Sequence, residues 1–245
     1  MDDHLLARRV AEDAGRLLVE LRDSWDDHPW MLRDEGDLRA HRFIVQALRE
    51  ARPDDGILSE EGADDLTRLQ KRRVWVVDPL DGTNEYGEWG RRDWAVHVAL
   101  CEDGVPVAGA VALPAEDVVL ATDDPPPLPA PADGERPMRV VTSRTRRPYA
   151  SVRVAEALGA ELVPLGSAGA KAMAVVRGDV DAYAHAGGMY EWDSCAPAAV
   201  AAAAGLHVSR LDGSPLRYNR PDPWLPDLLV CRPELADTCL SAVRP

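Results

Sequence analysis

The residues with the clearest chemical purpose are Asp78 and Asp81, which close the run Val74-Trp75-Val76-Val77-Asp78-Pro79-Leu80-Asp81-Gly82-Thr83. A hydrophobic strand that ends in carboxylates is costly unless they are paired or hold a cation. Pro79 stiffens the turn, and Gly82 permits a tight bend or a close backbone approach. Alone, the run reads equally well as a polar strand-to-loop turn. Two further acidic segments tip the balance. Glu60-Glu61 closes the short apolar run Ile57-Leu58, and Asp193 follows Trp192 ahead of an alanine-rich stretch. Glu60, Asp78, Asp81 and Asp193 offer hard oxygen donors, which suit Mg2+ rather than zinc or copper. Bound cations would offset these carboxylates and give an otherwise acidic chain local positive charge. With metals about 3.5–4 Å apart, one can activate a water while another holds the leaving oxygen.

The segment Trp75–Thr83 resembles the W-[VI]-[VI]-D-P-[LI]-D-G-T signature of the inositol monophosphatase superfamily and meets every position of it. Gly188-Met189-Tyr190-Glu191-Trp192-Asp193-Ser194 is similar to that family's second acidic motif, and Ile57–Gly62 to its strand-end Glu-Glu. The three occur in family order. Gly166-Ser167-Ala168-Gly169-Ala170-Lys171 and Leu211-Asp212-Gly213-Ser214-Pro215-Leu216 look most like the CysQ branch. The resemblance implies a lithium-sensitive, Mg2+-dependent phosphomonoesterase with two or three ions per site. For the branch, it implies removal of the 3′-phosphate from 3′-phosphoadenosine 5′-phosphate. 3′-Phosphoadenylyl sulfate is a further expected substrate, and sulfur assimilation the expected setting. Inositol phosphate and fructose bisphosphate hydrolysis stay open as alternatives with the same metal chemistry. A non-catalytic metal-binding module is the reading of a different class; the presence of every expected carboxylate, with Thr83 and Asp37, speaks against it.

By the same resemblance, Glu60, Asp78 and the Leu80 carbonyl hold the water-activating ion. Asp78, Asp81 and Asp193 hold the second, and Glu60 shares a weaker third. Thr83 takes the proton of the attacking water if its own proton is engaged, and Asp37 matches the aspartate that engages it. From the residues alone, Asp37 is an N-cap for a helix beginning at Leu38, so both roles are expected together. Gly82 and Thr83 should open a short helix whose free N–H groups hold phosphate oxygens. The substrate-binding set is then Asp81, Gly82, Thr83, Asp193, Ser167 and Lys171. Lys171 lies in the first turn of a helix, where the dipole favours anions; a bound phosphate or simple solvent exposure would each account for it. Arg144–Arg147 is a plausible substrate contact, and Arg72-Arg73 a solvated face. His41, His97, His185 and His207 are scattered and are read as neither metal ligands nor bases.

The chain has 245 residues, enough to bury a substantial core as one large domain or two modest ones. Its 42 acidic residues outnumber 28 basic ones, for a net charge of −14, which disfavours nucleic acid polymers and anionic membranes as partners. The four cysteines form no C-x-x-C pair, so neither a zinc site nor a disulfide framework is suggested, and a cytoplasmic location fits. The N-terminus lacks the features of a signal peptide, and no apolar run is long enough to span a bilayer. The expected partner is a small phosphorylated metabolite of nucleotide type. Members of the family often form homodimers.

These side chains need a scaffold. Apolar spacing predicts a helix from His4 to Asp23 and a second that begins after Asp37 and stops at Pro53. Strands follow at Ile57-Leu58 and Val74–Val77. Antiparallel strands occupy Trp94–Thr122, with a turn at Glu102-Asp103-Gly104. Asp123–Pro137 is proline-rich and reads as a surface connection. Beyond it come a strand at Arg139–Ser143, a helix to Gly159, a strand at Glu161–Leu165 and a helix from Ala168 to Arg177. A strand at Ala182–His185 and a helix Cys195–Ala204, closed by Gly205, complete the pattern. The expected fold is α/β, an α+β part at 1–125 and an α/β part at 138–245. Together they form the layered αβαβα arrangement of inositol-monophosphatase-like sugar phosphatases. The metal site should lie between the two parts.

Overall fold

A computed structural model of the chain describes residues 1–64, 66–130, 136–146 and 148–244. Arg147 and the middle of the proline-rich connection, 131–135, lie outside them, so the readings made there stand only for the remaining residues.

The chain begins with α1 (Asp3–Asp23), whose N-terminal Leu5 N–H is accepted by the Asp2 side chain. Next is α2 (Pro29–Ala51), which starts eight residues before the expected Asp37 boundary, with Pro29 in its first turn. Proline suits that position because its missing N–H has no intrahelical partner there. Asp37 is therefore inside a helix and caps nothing. Gly36 beside it is a packing position: a Cβ there would stand 2.7 Å from the Tyr86 ring.

The first sheet is built from β1 (Gly56–Ser59), β2 (Arg73–Asp81), β3 (Ala95–Glu102), β4 (Val105–Leu113) and β5 (Val118–Ala121), in that spatial order. β1 runs parallel to β2, and the remaining pairs are antiparallel. A short helix, α3 (Thr83–Tyr86), follows β2 directly. The second sheet orders β7 (Glu161–Leu165), β6 (Arg139–Ser143), β8 (Ala182–Tyr190), β10 (Trp224–Cys231) and β9 (His207–Ser209). Its helices are α4 (Tyr149–Leu158), α5 (Ala168–Val176), α6 (Glu191–Ala203) and α7 (Ala236–Val243).

Five layers result. Helices α1 and α2 cover the outer face of the first sheet through Leu18, Leu32, Ile44 and Leu48 against Trp75, Val77 and Val98. Helices α5 and α6 fill the space between the sheets, where Met173, Val175, Cys195 and Val200 meet Val76 and Ala99 on one side and Tyr183, Leu228 and Val230 on the other. Helices α4 and α7 close the far face of the second sheet. The alanine-rich sequence of α6 is what lets its backbone sit close to both sheets: Ala199 would lie 3.0 Å from a Cβ at Gly109. Each expected part contains one sheet, and the apolar cluster around α5 and α6 draws residues from both sheets. β9, β10 and α7 were not anticipated. All four cysteines are buried and free, with Cys101 Sγ 3.3 Å from Cys195 Sγ. No helix among the described residues is long and apolar enough to cross a membrane.

Candidate active site

The signature segment is strand rather than turn as far as Asp81. Residues three apart on a regular strand face opposite sides. Here Asp78 pairs with His97 and Asp81 with Ala95, so β2 advances three residues while β3 advances two. This bulge, at a proline that cannot donate to the ladder, turns both carboxylates to one side. Gly82 then adopts φ +88°, a left-handed conformation that strongly favours glycine, and its Cβ position would come 2.9 Å from Ser167.

Asp193 sits in the first turn of α6, where its Oδ2 accepts the Tyr190 N–H at 2.6 Å. One oxygen each from Asp78, Asp81 and Asp193 lies within 4.8 Å of the others, a group that can hold a metal ion. The fit is chemical as well as spatial. Asp78 Oδ1 accepts the Leu80 N–H at 3.1 Å, but its Oδ2 is buried with no hydrogen-bond partner. A buried carboxylate oxygen left bare is what a cation would satisfy. Burial, then the charges of Asp81, Glu60 and Asp193, push the Asp78 carboxyl well above its usual range. Loss of water and the Asp193 and Asp81 charges raise Glu60 to about 7, and burial with Asp81 raises Asp193 to about 6. Glu60 lies outside this three-carboxylate group; the residue as a whole is exposed, but its carboxyl, in contact with Asp78, is largely shielded from water.

Asp81 behaves differently. Its two oxygens accept the Ala168 N–H at 3.1 Å and the Gly169 N–H at 2.6 Å, at the N-terminus of α5. His97 Nε2 lies 3.2 Å from its Oδ2, an ion-pair contact rather than an aligned hydrogen bond. Burial alone would raise the Asp81 carboxyl, but His97, Lys171 and the Gly169 N–H together hold it below the usual value. His97 in turn gives its Nδ1 to the Trp192 carbonyl at 3.0 Å. The histidine set aside in the sequence thus braces both Asp81 and the turn that carries Asp193. Its position opposite Asp78 on the neighbouring strand was the only signal that could have found it.

Thr83 Oγ1 lies 3.1 Å from the Leu80 carbonyl, which accepts its hydrogen bond. Asp37 reaches the same turn from the middle of α2. Burial, with Glu61 and Glu60, raises its carboxyl to about 8, while contact with Thr83 pulls the other way. Its Oδ1 is buried and unpartnered. Asp37 and Thr83 are therefore neighbours, but not by way of a helix cap.

The positive residues are placed less as expected. Lys171 is not solvent-exposed: it is 5 % accessible, and its ammonium donates to the carbonyls of Gly166 and Ser167. The anion at the start of α5 is Asp81. Ser167 caps α5 by accepting the Ala170 N–H at 2.8 Å and packs on Gly82. Arg144 pairs with Glu85 and Glu88. A second support was not legible. Arg68, 1 % exposed, binds Asp64 and Asn219, while Glu191 accepts the N–H groups of Asn219 and Arg220 at 2.7 and 2.9 Å. This network ties the chain just beyond Glu60 to the first turn of α6. From Asp81 and Asp193 a cavity of about 670 Å3 opens toward β8 and β10, with Lys171 on its wall.

The chain belongs to the inositol monophosphatase family, whose sequence profile matches residues 23–126 and 130–244. It is 52% identical to the 3′-phosphoadenosine 5′-phosphate phosphatase of Mycobacterium tuberculosis over 94% of this chain and 89% of that one. It is 31% identical to the 3′(2′),5′-bisphosphate nucleotidase CysQ of Escherichia coli K12, covering 77% and 80% of the two chains. Among solved structures, CysQ from Bacteroides thetaiotaomicron superposes with a TM-score of 0.82 at 26% identity, covering 94% of this chain and 97% of that one.

Proposed function

We propose that the protein hydrolyses the 3′-phosphate of 3′-phosphoadenosine 5′-phosphate, giving AMP and phosphate, in a Mg2+-dependent reaction. The observation that carries this reading is the 52% identity to a phosphatase of that name over 94% of the chain. The oxygen-only donor set with a bare buried Asp78 Oδ2 supports Mg2+ as the ion.

Bound Mg2+ would supply an activated water and counter-charge for the phosphate and the departing 3′-oxygen. Glu60, Asp78, Asp81, Asp193 and the Leu80 carbonyl are the groups proposed to hold two or three such ions. Thr83 accepts a proton from the attacking water once its own hydroxyl proton has turned from the Leu80 carbonyl, which accepts it in this structure, to the neighbouring Asp37 carboxylate. The new P–O bond forms from that water, the bond to the ribose 3′-oxygen breaks, and that oxygen takes a proton from a second, solvent water as it leaves, the resulting hydroxide being neutralised by the proton that Thr83 accepted. Gly82 and Thr83, opening α3, present backbone N–H groups to phosphate oxygens. Ser167 holds the turn that faces them. Lys171 adds positive charge to the cavity wall from its fixed position above the Gly166 and Ser167 carbonyls.

Inositol phosphate and fructose bisphosphate hydrolysis use the same groups, so substrate preference decides among them. Phosphate release is measured from 3′-phosphoadenosine 5′-phosphate, 3′-phosphoadenylyl sulfate, inositol 1-phosphate and fructose 1,6-bisphosphate, with and without Mg2+. The 3′-phosphonucleotides should have the highest kcat/KM. Preference for inositol or fructose phosphates overturns the substrate, and no release from any ester overturns the enzyme.

Two further readings accompany this one. Four free, buried cysteines suit a reducing cytoplasm. A homodimer is the assembly proposed from family habit, and light scattering of the purified protein tests it.

A further inference from the structure

The Leu211–Leu216 motif leads into a segment, 218–223, that holds none of the proposed ion donors yet is bonded to both halves of the molecule. The Tyr218 N–H donates over 3.1 Å to the Gly104 carbonyl, in the turn between β3 and β4. The Tyr218 hydroxyl lies 3.3 Å from Ser194 Oγ, one residue past Asp193. Asn219 then takes φ +57°, a left-handed conformation that asparagine tolerates better than most side chains. The Asn219 and Arg220 N–H groups both meet the Glu191 carboxylate, which is fully buried and opens α6 two residues before Asp193. Pro223 completes the join, its carbonyl accepting the Glu191 N–H at 2.8 Å.

Arg68 fastens this strap to the first half of the chain. Its Nε and Nη2 fork onto the two oxygens of Asp64 at 2.7 and 2.9 Å. Its Nη1 donates to Asn219 Oδ1 at 2.7 Å, and Nη2 also reaches the Arg220 carbonyl at 2.9 Å. A guanidinium buried this deeply is stable only with its fork of donors filled, which fixes the position of every partner. Asp64 stands four residues beyond Glu60, and the chain between them is thinly held. The Glu60 N–H donates to the Val77 carbonyl at 3.3 Å, and the Gly62 N–H closes a turn on the Ser59 carbonyl at 3.1 Å, while Glu61 and Ala63 are exposed. The Glu60 loop is thus pinned by β2 at its start and by Arg68 at its end.

We propose that Arg68 is a positioning residue for the ion to which Glu60 contributes. Through Asp64 and Asn219 it holds the Glu60 loop in fixed register with the turn of α6 that carries Asp193, and so sets the Mg2+ concentration at which that ion binds. The inference rests on the reading of the chain as a Mg2+-dependent enzyme. A loop left loose would have to be ordered each time an ion bound, which weakens binding; the Arg68 fork meets that cost on folding. Asp81 and Asp193 have their own braces in the α5 N–H groups and the Tyr190 N–H. Loss of the strap should therefore fall on the Glu60-dependent ion.

The test is a Mg2+ titration of the full-length protein, read by calorimetry on the chelator-treated enzyme and by phosphate release, with Tm in chelator measured alongside. Asn219→Gly removes one acceptor of Arg68, while glycine keeps the left-handed backbone and both N–H bonds to Glu191. Arg68→Lys keeps the charge but cannot fork between Asp64 and the strap. Each should raise the Mg2+ concentration for half-maximal activity, and weaken Mg2+ binding in calorimetry, by about 10–100-fold, the usual cost of losing a residue that orients a metal ligand. In a Glu60→Gln background Asn219→Gly should raise it no further, because the side chain through which it acts is gone. A merely structural strap would lower Tm in chelator and leave the Mg2+ requirement where it was, which overturns the proposal. An equal shift with and without Glu60 also overturns it. If the wild type binds no Mg2+ and keeps full activity in chelator, the metal reading itself fails.

Discussion

The Gly169 N–H donates to Asp81 Oδ2 over 2.6 Å, joining two residues 88 apart in the chain. This bond fastens the N-terminus of α5 to the strand that carries the acidic signature. It also explains the glycine, since a Cβ at position 169 would overlap His97 Nε2. Gly169→Ala must push His97 away or lift α5 from Asp81. Overpacking of this kind costs about 1–3 kcal/mol, and lost support of a ligand weakens metal binding about 10–100-fold. Thermal unfolding at rising Mg2+ concentrations reads both. An unchanged Mg2+ dependence would show that Asp81 does not need the clamp.

Metal removal should abolish activity. Chelator is expected to stop phosphate release and added Mg2+ to restore it. Asp78→Asn should be the most damaging isosteric change, because it puts an amide where the bare Oδ2 stands. Excess Ca2+ should inhibit, since its longer, looser bonds misplace the water. Full activity of purified Asp78→Asn, or of the wild type in chelator, would rule out the metal mechanism. Lithium should inhibit at millimolar concentrations, as the family resemblance implies.

Thr83→Ala should lower kcat about 10²–10⁴-fold with much less effect on KM, the usual range for losing a positioned proton acceptor. Asp37→Asn should act through the same step, so the double substitution should be little worse than the worse single one. Additive losses would show that Asp37 acts independently. Asp37 lies inside α2, so loss of a helix cap cannot account for its effect.

The acidic group should make the metal-free protein less stable as pH rises. Asp37, Glu60 and Asp193 are raised to about 8, 7 and 6, and Asp78 is raised as well. Between pH 5 and 8 the folded state therefore holds more protons than the unfolded chain, and stability falls with pH. In chelator, Tm should drop by a few degrees from pH 6 to pH 8. Mg2+ should reverse the drop, and its binding near pH 7 should release protons, measurable by calorimetry in buffers of different ionisation heat. A Tm that rises with pH in chelator contradicts this account.

Much of the molecule was present in local pattern. Periodicity and glycine stops located α1, α4 and α5 and most of both sheets, because each signal lies within one turn or one strand. Three acidic segments offered Glu60, Asp78, Asp81 and Asp193 as a group by type, order and resemblance, and the fold brings the last three within 4.8 Å of one another. Other features depended on partners distant in sequence. The start of α2 was misread because Asp37 looks like a helix N-cap, yet it faces Thr83 from mid-helix, as Gly36 beside it faces Tyr86. Nothing near His97 marks it, since its role comes from lying across from β2 and against α5. Lys171 left a bound phosphate and solvent exposure equally open, because a cation at a helix N-terminus wants an explanation; the fold supplies Asp81 as the anion and two carbonyls for the ammonium. Sequence by itself thus determined the acidic donor set proposed to carry the chemistry and most of the elements that hold it. Only tertiary structure decided which charges neutralise one another and which stay unpaired, because ion pairs and desolvation act through space between residues that the chain order keeps far apart.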